Sequence, residues 1–378
     1  MSTSVYIIIL PLMGALWWFF HLRSKERRSK LPPGPAGLPI IGNLHMLGEL
    51  PHRDITKLSQ IYGPIMYLRL GSVPTIVISS PPLIEQVLKT HDTVFASRPK
   101  TQASKFLSYD NKAIVFKEYG PYWRSVKKFC TSQLLSTTKI ESTSWQRKEE
   151  LGLMVESLRG AAAAREVVNV SEKLARLIED MTCRMLFGKS RDERFDMSKV
   201  IPELACLNGL FNVADYLPIL GPLDLQGLGR RFKVAFKTID NILETIINDH
   251  EEDARNSNVK LNRDFVDVLL SLQNDTFPGF EQLSKSIDQS NVKALILDML
   301  MGALDTSHNS IDWILSELVR NPRVMKILQA EIESVLVHNF NWELPDGSSH
   351  AEMDMSETFG LTMPRAKHLC ATPCVRLP

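Results

Sequence analysis

An acidic residue followed directly by a hydroxyl residue is the most chemically suggestive feature of this sequence. Asp305 and Thr306 stand in the hexapeptide GALDTS, which overlaps the end of the apolar run VKALILDMLMGAL. A carboxylate beside a hydroxyl in a buried groove can relay protons. The small residues Gly302 and Ala303 would let another molecule approach the helix backbone, and Thr306 can bond to a carbonyl one turn earlier. A helix-packing notch with a satisfied polar pair explains the hexapeptide equally well.

The cysteines indicate neither a disulfide framework nor a structural metal site. They are five in number, widely scattered and without a Cys-x-x-Cys pair, which fits neither chemistry. A reducing compartment is the simpler interpretation. His308, shortly after Thr306, is a lone histidine for which a structural role is favoured over metal ligation. We therefore predict no metal-ligand cluster. The five cysteines are Cys130, Cys183, Cys206, Cys370 and Cys374.

The acid and the hydroxyl lie on a predicted helix that is long enough to cross a whole domain. The helix runs from Asn291 to Arg320, where Asn321-Pro322 stops it. At 1.5 Å per residue its length is roughly 45 Å. Its first half is apolar nearly all round, which predicts burial in the centre of the protein.

The remaining elements predict a mainly α fold with a small N-terminal β-sheet. Ile65 to Leu70 and Thr75 to Ser79 are β-rich runs, joined by a predicted four-residue loop, Gly71-Ser72-Val73-Pro74. From Trp123 onward almost every segment has helical period, for example Ser171 to Phe187.

The first part of the chain differs from the rest. Val5 to Phe20 is an uncharged apolar run, slightly shorter than the roughly 20 residues of a typical membrane-spanning helix. The basic cluster from Arg23 to Lys30 follows it, so the positive-inside rule places the remaining chain in the cytosol. We predict a membrane anchor over residues 1–22 and a basic, Pro/Gly-rich, non-helical hinge over residues 23–43. A cleavable signal peptide is the alternative, but the run lacks a basic n-region.

Net charge argues against a nucleic-acid partner. The chain has 44 Lys and Arg against 43 Asp and Glu, a formal charge of +1 at pH 7. The Arg23 to Lys30 cluster adjoins the predicted membrane span, where such a cluster is a topology signal. Hydrophobic residues at 44% and charged residues at 23% are typical of a globular protein with a sizeable core.

An ordered set of short stretches gives the sequence a family resemblance. The chain resembles the cytochrome P-450 superfamily of haem-thiolate monooxygenases, specifically the plant microsomal type. Each stretch alone is weak, but the set extends along the whole chain in the family's order. The stretches are PPGPAGLPIIGNLHMLG, FASRP, EYGPYWRSVKKFC, DFVDVLLSL, GALDTS, SELVRNPRVM and FGLTMPRAKHL.

The resemblance implies a cofactor, partners and site residues. The cofactor is haem, and the partners are a membrane, an NADPH-dependent reductase and a small-molecule substrate. Asp305 and Thr306 match the acid–alcohol pair that supplies protons for dioxygen cleavage, and Trp123 and Lys127 match residues that contact the haem propionates. Arg124 is a neighbour of lower rank on a different face.

The resemblance also implies substrate-facing positions and a cellular location. Ala303 replaces the family's usual Gly beside the acid–alcohol pair, and Leu361 and Thr362 match a turn that lines the substrate pocket. The stretch from Thr101 to Val115 matches another pocket-lining region. The location implied is the endoplasmic reticulum membrane, with the catalytic domain facing the cytosol.

One family motif is missing from the sequence. The axial cysteine lies in a Phe-x-x-Gly-x-x-x-Cys-x-Gly loop, and none of the five cysteines has that context. The expectation is an incomplete P-450 fold, with a domain-sized block of ~100–150 residues absent between Glu333 and His338. The predicted parts are an N-terminal and central part over residues 44–335 and a C-terminal remnant over residues 336–378. Two functional hypotheses follow: haem-dependent monooxygenation, and a truncated, haemless, non-catalytic member that only anchors or binds partners or ligands.

Overall fold

The structure is a computed structural model that describes residues 31–192, 194–195, 197–256, 263–274, 277–331, 337, 339–345 and 349–376. The predicted membrane anchor lies outside these residues. Across the described ranges, no helix has the length and apolar character needed to cross a bilayer. The chain divides into two compact units: residues up to Ala96 with Val213–Pro222, and Ser97–Asn212 with Leu223–Pro378. The boundaries predicted at residues 22, 43 and 335 remain predictions.

The secondary structure is mainly helical, as predicted. In chain order the elements are α1 (Pro51–Tyr62), β1 (Ile65–Leu70), β2 (Val73–Ile78), α2 (Pro81–Glu85), α3 (Asp92–Phe95), α4 (Gln102–Leu107), α5 (Pro121–Phe129), α6 (Thr137–Ser142), α7 (Ser144–Ala164), β3 (Val168–Asn169), α8 (Val170–Phe187), α9 (Met197–Gly209), α10 (Val213–Tyr216), α11 (Leu228–Asn256), α12 (Phe265–Asn274), α13 (Glu281–Ser284), α14 (Gln289–Arg320), α15 (Pro322–Glu331), β4 (Phe340–Glu343) and β5 (Cys370–Val375).

The first unit contains the predicted hairpin, with a tighter turn than expected. β1 and β2 pair antiparallel as far as Leu70 and Val73, so only Gly71 and Ser72 connect them. The predicted four-residue loop is therefore wrong. Gly71 takes a φ of +61°, which glycine adopts without the steric penalty of a side chain. Pro74 lies within β2, which is an edge strand of the two-stranded sheet, a position where a residue without an amide hydrogen is tolerated.

The second unit is built around α14, which begins two residues before the predicted start and ends at the predicted Arg320. Asp288 caps the helix: its side chain accepts a hydrogen bond from the Asn291 backbone, and the Asn291 side chain accepts one from the Asp288 backbone. Residues 291–298 and Leu300 are buried, as the apolar run predicts. α8, α9, α11 and α12 pack against α14.

A three-stranded antiparallel sheet of order β3-β5-β4 completes the second unit. Phe340 and Trp342 of β4 are buried while Asn341 and Glu343 are exposed, the alternation of a sheet with one solvated face. A second core cluster packs beneath it with residues of α7, α8 and the end of α14. The sheet therefore joins the last part of the chain to the helical core.

Candidate functional site

The second half of α14 presents an open face. Gly302, Thr306, Ser310 and Ile314 recur every four residues and all are exposed, so they form one stripe along the helix. A methyl group built on Gly302 would meet no atom within 4 Å. Among the described residues this stripe is exposed, and the proton-relay role of Asp305 and Thr306 stays a prediction. The face is open to a bound molecule.

Thr306 makes the local bond that its hydroxyl predicts. Its Oγ1 donates to the carbonyl oxygen of Gly302 at 2.6 Å. The Ser310 hydroxyl does the same one turn later, donating to the carbonyl oxygen of Thr306 at 2.8 Å. These bonds compete with the helix ladder, and they hold both hydroxyl oxygens at the edge of the open face.

Asp305 belongs to a three-residue hydrogen-bond network. The Thr362 hydroxyl donates to Asp305 Oδ2 at 2.6 Å. Asn309 Nδ2 donates to Thr362 Oγ1 at 2.6 Å and approaches Asp305 Oδ1 at 3.3 Å. The acid is therefore held in one orientation toward Thr362 and Asn309, whereas the neighbouring Thr306 side chain lies on the exposed stripe.

The turn that carries Leu361 and Thr362 is positioned by a close backbone approach. A Cβ on Gly209, the last residue of α9, would lie 2.6 Å from the Leu361 nitrogen, so only glycine fits. Leu361 is exposed, while Ala303 and Thr362 are half-buried. The structure thus brings Thr362 directly to the acid; for Ala303 and Leu361 the substrate-facing role stays a prediction.

The predicted haem-edge residues lie on α5. Trp123 and Lys127 share one helix face, with the Lys127 ammonium 4.7 Å from the centre of the indole ring. The indole N–H donates to the Ile114 carbonyl oxygen at 3.0 Å, so the indole already has a partner and the exposed ammonium is the freer group for a carboxylate. Arg124 is exposed on another face, over the ring of Tyr119.

The cysteines differ in burial, and burial decides how readily a thiol ionises. Burial raises the pKa of Cys130 and Cys183 to about 12, so both remain protonated thiols at neutral pH, whereas an iron ligand must be a thiolate. Burial also raises the pKa of Cys374 on β5. Lys127 and the exposed stripe suit a haem, whereas the two buried thiols do not suit its iron.

Sequence reasoning missed two residues that bear on the site. Asn309 completes the network around Asp305, but nothing distinguishes it from other polar residues of the helix until Thr362 is placed beside it. Asp298 is a carboxyl group within the buried half of α14. A single acid inside the run VKALILDMLMGAL was a visible signal, because a buried carboxylate requires hydrogen-bond donors.

The fold and the site together define a mainly helical protein in which an acid and a neighbouring hydroxyl residue lie at the exposed face of a central helix. A family profile for Cytochrome P450 matches residues 32–364. The chain is 50% identical over 338 residues to Cytochrome P450 CYP736A12 of Panax ginseng, which covers 89% of this chain and 67% of that protein. It is 36% identical to the tabersonine/lochnericine 19-hydroxylase of Catharanthus roseus, over 90% of this chain and 68% of that protein.

A solved structure gives the same result for the fold. The chain aligns with a zebrafish cytochrome P450 described with abiraterone at a TM-score of 0.56 and 23% identity, covering 75% of this chain and 61% of the other. The chain belongs to the cytochrome P450 family. Its matches span about two-thirds of the length of these relatives.

Proposed function

We propose that this chain serves the monooxygenase reaction of its family, in which one oxygen atom is inserted into a small organic molecule with electrons from a reductase. The observation that carries the proposal is the Asp305–Thr306 pair at the edge of the open face of α14. The Catharanthus relative is named a hydroxylase, which supports hydroxylation as the reaction type. A separate, non-catalytic role finds no support in these relatives.

Haem would supply dioxygen activation when it is bound. On this chain, the exposed Lys127 ammonium would pair with a propionate, and the stripe from Gly302 to Ser310 would face the ring. Asp305 is held by Thr362 and Asn309, and the Thr306 hydroxyl lies on the exposed stripe. The buried thiols of Cys130 and Cys183 do not suit the thiolate that such a centre requires.

We further propose that the protein is anchored by a single span in the endoplasmic reticulum membrane, with the domain facing the cytosol. The support is the apolar run from Val5 to Phe20 and the basic cluster from Arg23 to Lys30, which lie outside the described residues. Protease treatment of intact microsomes tests the topology. Cleavage of the domain supports a cytosolic orientation, whereas full protection contradicts it.

The functional test begins with iron ligation. The full chain is titrated with haem, and the reduced, carbon-monoxide difference spectrum is recorded with and without a small alkyl thiol. We expect haem uptake without thiolate ligation, and a thiolate-type Soret band once the added thiol fills the axial position. A folded chain that takes up no haem would contradict the proposal. A thiolate-type band without added thiol would mean that one of the five cysteines ligates iron, and single Cys-to-Ser variants would identify it.

Turnover then tests the acid–alcohol pair. With the thiol, a reductase and an oxidisable small molecule, Asp305→Asn and Thr306→Ala should each lower product formation by about 10²-fold or more, as expected when a positioned proton donor is lost. Ser310→Ala is the matched control, because it removes a hydroxyl from the same exposed stripe one turn away. Equal loss in the control would contradict a specific role for the pair.

A further inference from the structure

A buried histidine and two carboxylates come together where α11 and α12 meet. His250 lies near the end of α11, Asp264 directly before α12, and Asp267 in the first turn of α12. The His250 and Asp264 side chains are only 3% and 9% exposed, and Asp267 is half-buried. One potential ligand atom from each residue lies within 4.8 Å of the other two. Imidazole nitrogen and carboxylate oxygen are both metal-ligand atoms, and the proposed reaction does not use this group.

The hydrogen bonds of the imidazole determine which of its nitrogens carries the proton. His250 Nδ1 lies 2.7 Å from the Ile246 carbonyl oxygen. A carbonyl oxygen can only accept a hydrogen bond, so Nδ1 must be the donor. In the neutral ring Nε2 is therefore unprotonated, and its lone pair can bind a metal ion. A backbone carbonyl on the other ring nitrogen is a common support for a histidine that ligates a metal.

The unprotonated Nε2 faces a second acceptor. It lies 3.1 Å from Asp264 Oδ2, and an ionised carboxylate offers only lone pairs. Two buried acceptors at this distance repel each other unless a cation lies between them. That cation is either a proton or a metal ion. Two ligand atoms of a tetrahedral zinc site lie about 3.3 Å apart, given bond lengths of about 2.0–2.1 Å, so this pair already has nearly the required spacing.

The start of α12 orients both carboxylates. Asp267 N donates to Asp264 Oδ1 at 2.9 Å, and Asp264 N donates to Asp267 Oδ2 at 3.2 Å, which satisfies two amides at the start of the helix. A Cβ on Gly188, just after α8, would lie 2.8 Å from Asp264 Oδ2. The Asp264 carboxylate is therefore packed between the end of α8 and the imidazole. A shift of at most about 1.5 Å would bring the third ligand atom from 4.8 Å to tetrahedral spacing.

The charges around the group favour a cation. The Lys139 ammonium donates to the Arg263 carbonyl oxygen. Burial lowers the pKa of Lys139, while the charges of Asp264 and Asp267 act in the opposite direction, so this ammonium is close enough to interact with both. One lysine balances at most one of the two carboxylates. The second negative charge is available to a divalent ion.

A cavity beside His250 provides a route for an ion from solvent. Its lining includes Ser190, Asp192 and Asp249. Asp192 and Asp249 both accept hydrogen bonds from Arg194, at 2.6 Å and 2.5 Å, so these two acids already have a cationic partner. The polar lining suits a hydrated ion, and an entry path is one requirement of a metal site.

We propose that His250, Asp264 and Asp267 form a binding site for a divalent transition-metal ion of the Zn²⁺ class, which joins the end of α11 to the start of α12. One nitrogen with two carboxylate oxygens suits Zn²⁺ or Co²⁺, whereas Mg²⁺ and Ca²⁺ are bound through oxygen ligands. Three protein ligands leave the fourth position to water. The site does not rest on the proposed function, because it requires neither haem nor a substrate.

Metal titration of the full chain tests the site. The chain is treated with a chelator, dialysed and titrated with Co²⁺, whose visible absorption reports its coordination, and Zn²⁺ is then added. We expect uptake of one Co²⁺ with a tetrahedral-type spectrum, displacement by Zn²⁺, and no displacement by excess Mg²⁺. Zn²⁺ should also raise the thermal unfolding temperature of the wild-type chain, because it binds only the folded state tightly.

Two ligand variants and one matched control identify the site. His250→Gln and Asp267→Asn should each weaken Co²⁺ binding at least about tenfold. Asp267→Asn keeps an oxygen that can accept the Asp264 amide, so the start of α12 should persist and this variant carries the test if His250→Gln does not fold. Asp249→Asn is the control, since it removes an acid next to His250 that already pairs with Arg194, and it should bind Co²⁺ like wild type.

The outcomes either support the site or overturn it. Uptake of one ion that is weakened by the ligand variants and unchanged in Asp249→Asn supports the proposal. Absence of uptake by the folded wild-type chain overturns it. Equal affinity in wild type and Asp267→Asn, or an equal loss in Asp249→Asn, also overturns it, because the metal would then bind elsewhere or only through general charge.

Discussion

The two halves of α14 belong to one continuous helix, yet the first half is buried nearly all round and the second half has one exposed face. Leu295, Leu297 and Leu300 in the first half are fully buried, whereas Gly302 and Thr306, only a turn or two further on, are exposed. The apolar run continues through Leu304, so composition does not set this boundary. Burial of a helix face is determined by what packs against it. The face that carries Gly302 and Thr306 is left exposed.

The difference teaches which constraints act on each half. The first half holds α8, α9, α11 and α12 together and is constrained by close packing. The stretch from Gly302 to Ser310 carries small and hydroxyl residues on one exposed face, whereas Leu315, Leu318 and Val319 beyond it belong to the second core cluster. Asp298, inside the packed half, accepts hydrogen bonds from the Ile114 and Val115 amides.

The largest expected effect is on the packed half. Leu295→Ala should lower the free energy of unfolding by about 2–5 kcal/mol, because it deletes a fully buried side chain and leaves a cavity. Thr306→Ala, on the exposed stripe, should change it by less than about 0.5 kcal/mol. Urea unfolding of both variants measures the contrast. Similar losses in the two variants would show that the halves are not energetically distinct.

The second-largest expected effect is the pH dependence of stability that Asp298 produces. The folded-state pKa of Asp298 is raised to about 7 from an ordinary 3.8, so the folded protein retains a proton that the unfolded chain releases between these values. Stability should therefore fall as pH rises from about 4 to about 7, by at most on the order of 4 kcal/mol from this group. In Asp298→Asn this slope should disappear. A wild-type slope in that variant would contradict the assignment.

A buried histidine elsewhere in the second unit should give a pH dependence of stability in a higher pH range, which serves as a control for Asp298. His250 Nδ1 lies 2.7 Å from the Ile246 carbonyl oxygen, and its Nε2 lies 3.1 Å from Asp264 Oδ2. Burial lowers the pKa of His250, but the Asp264 bond and charge and the Ile246 carbonyl outweigh burial, and the pKa is raised above 6.5. This pair stabilises the fold below pH 6.5 and loses that contribution as pH rises through the folded pKa. His250→Gln should remove only the fall in stability above pH 6.5 and leave the pH dependence that Asp298 produces unchanged.

A smaller effect is expected from the network around Asp305. Thr362→Val removes the hydroxyl that donates to Asp305 and accepts from Asn309. Because the network is only half-buried, we expect a loss of about 1–2 kcal/mol in the free energy of unfolding. Thr306→Val is the matched control, since it removes a hydroxyl bonded only within its own helix turn. An equal loss in the control would show that the network adds nothing specific.

The smallest effect is a gain in the open half. Gly302→Ala should raise the free energy of unfolding by about 0.5–1 kcal/mol, because alanine favours the helix and its methyl group meets no atom. A thermal scan of the purified variant against wild type measures the shift. Destabilisation would mean that the space beside Gly302 is filled.

The same two halves show how far the sequence could predict the structure. The end of α14 at Arg320 and the bounds of β1 followed from local signals, a proline stop and a β-rich run. The two-residue turn after Leu70 could not be predicted in this way. Pro74 favours a turn locally, but it pairs with Arg69 within the hairpin. The exposure of Thr306 does not follow from such signals, because hydrophobic periodicity identifies an apolar helix but not the elements that pack against it. The Asp305–Thr362 contact joins residues 57 positions apart, a distance that local patterns do not bridge.

The most direct test of the central claim is a haem titration of the wild-type chain and of Gly302→Leu, followed by Soret absorbance and by tryptophan quenching. The added side chain would enter the open space beside Gly302 without touching the packed core, so a thermal scan should show both proteins equally folded. The account predicts haem uptake by wild type and affinity at least about tenfold weaker in the variant, a change of about 1.4 kcal/mol. Equal affinity in the two proteins would contradict the claim that this face of α14 is the ligand-facing surface.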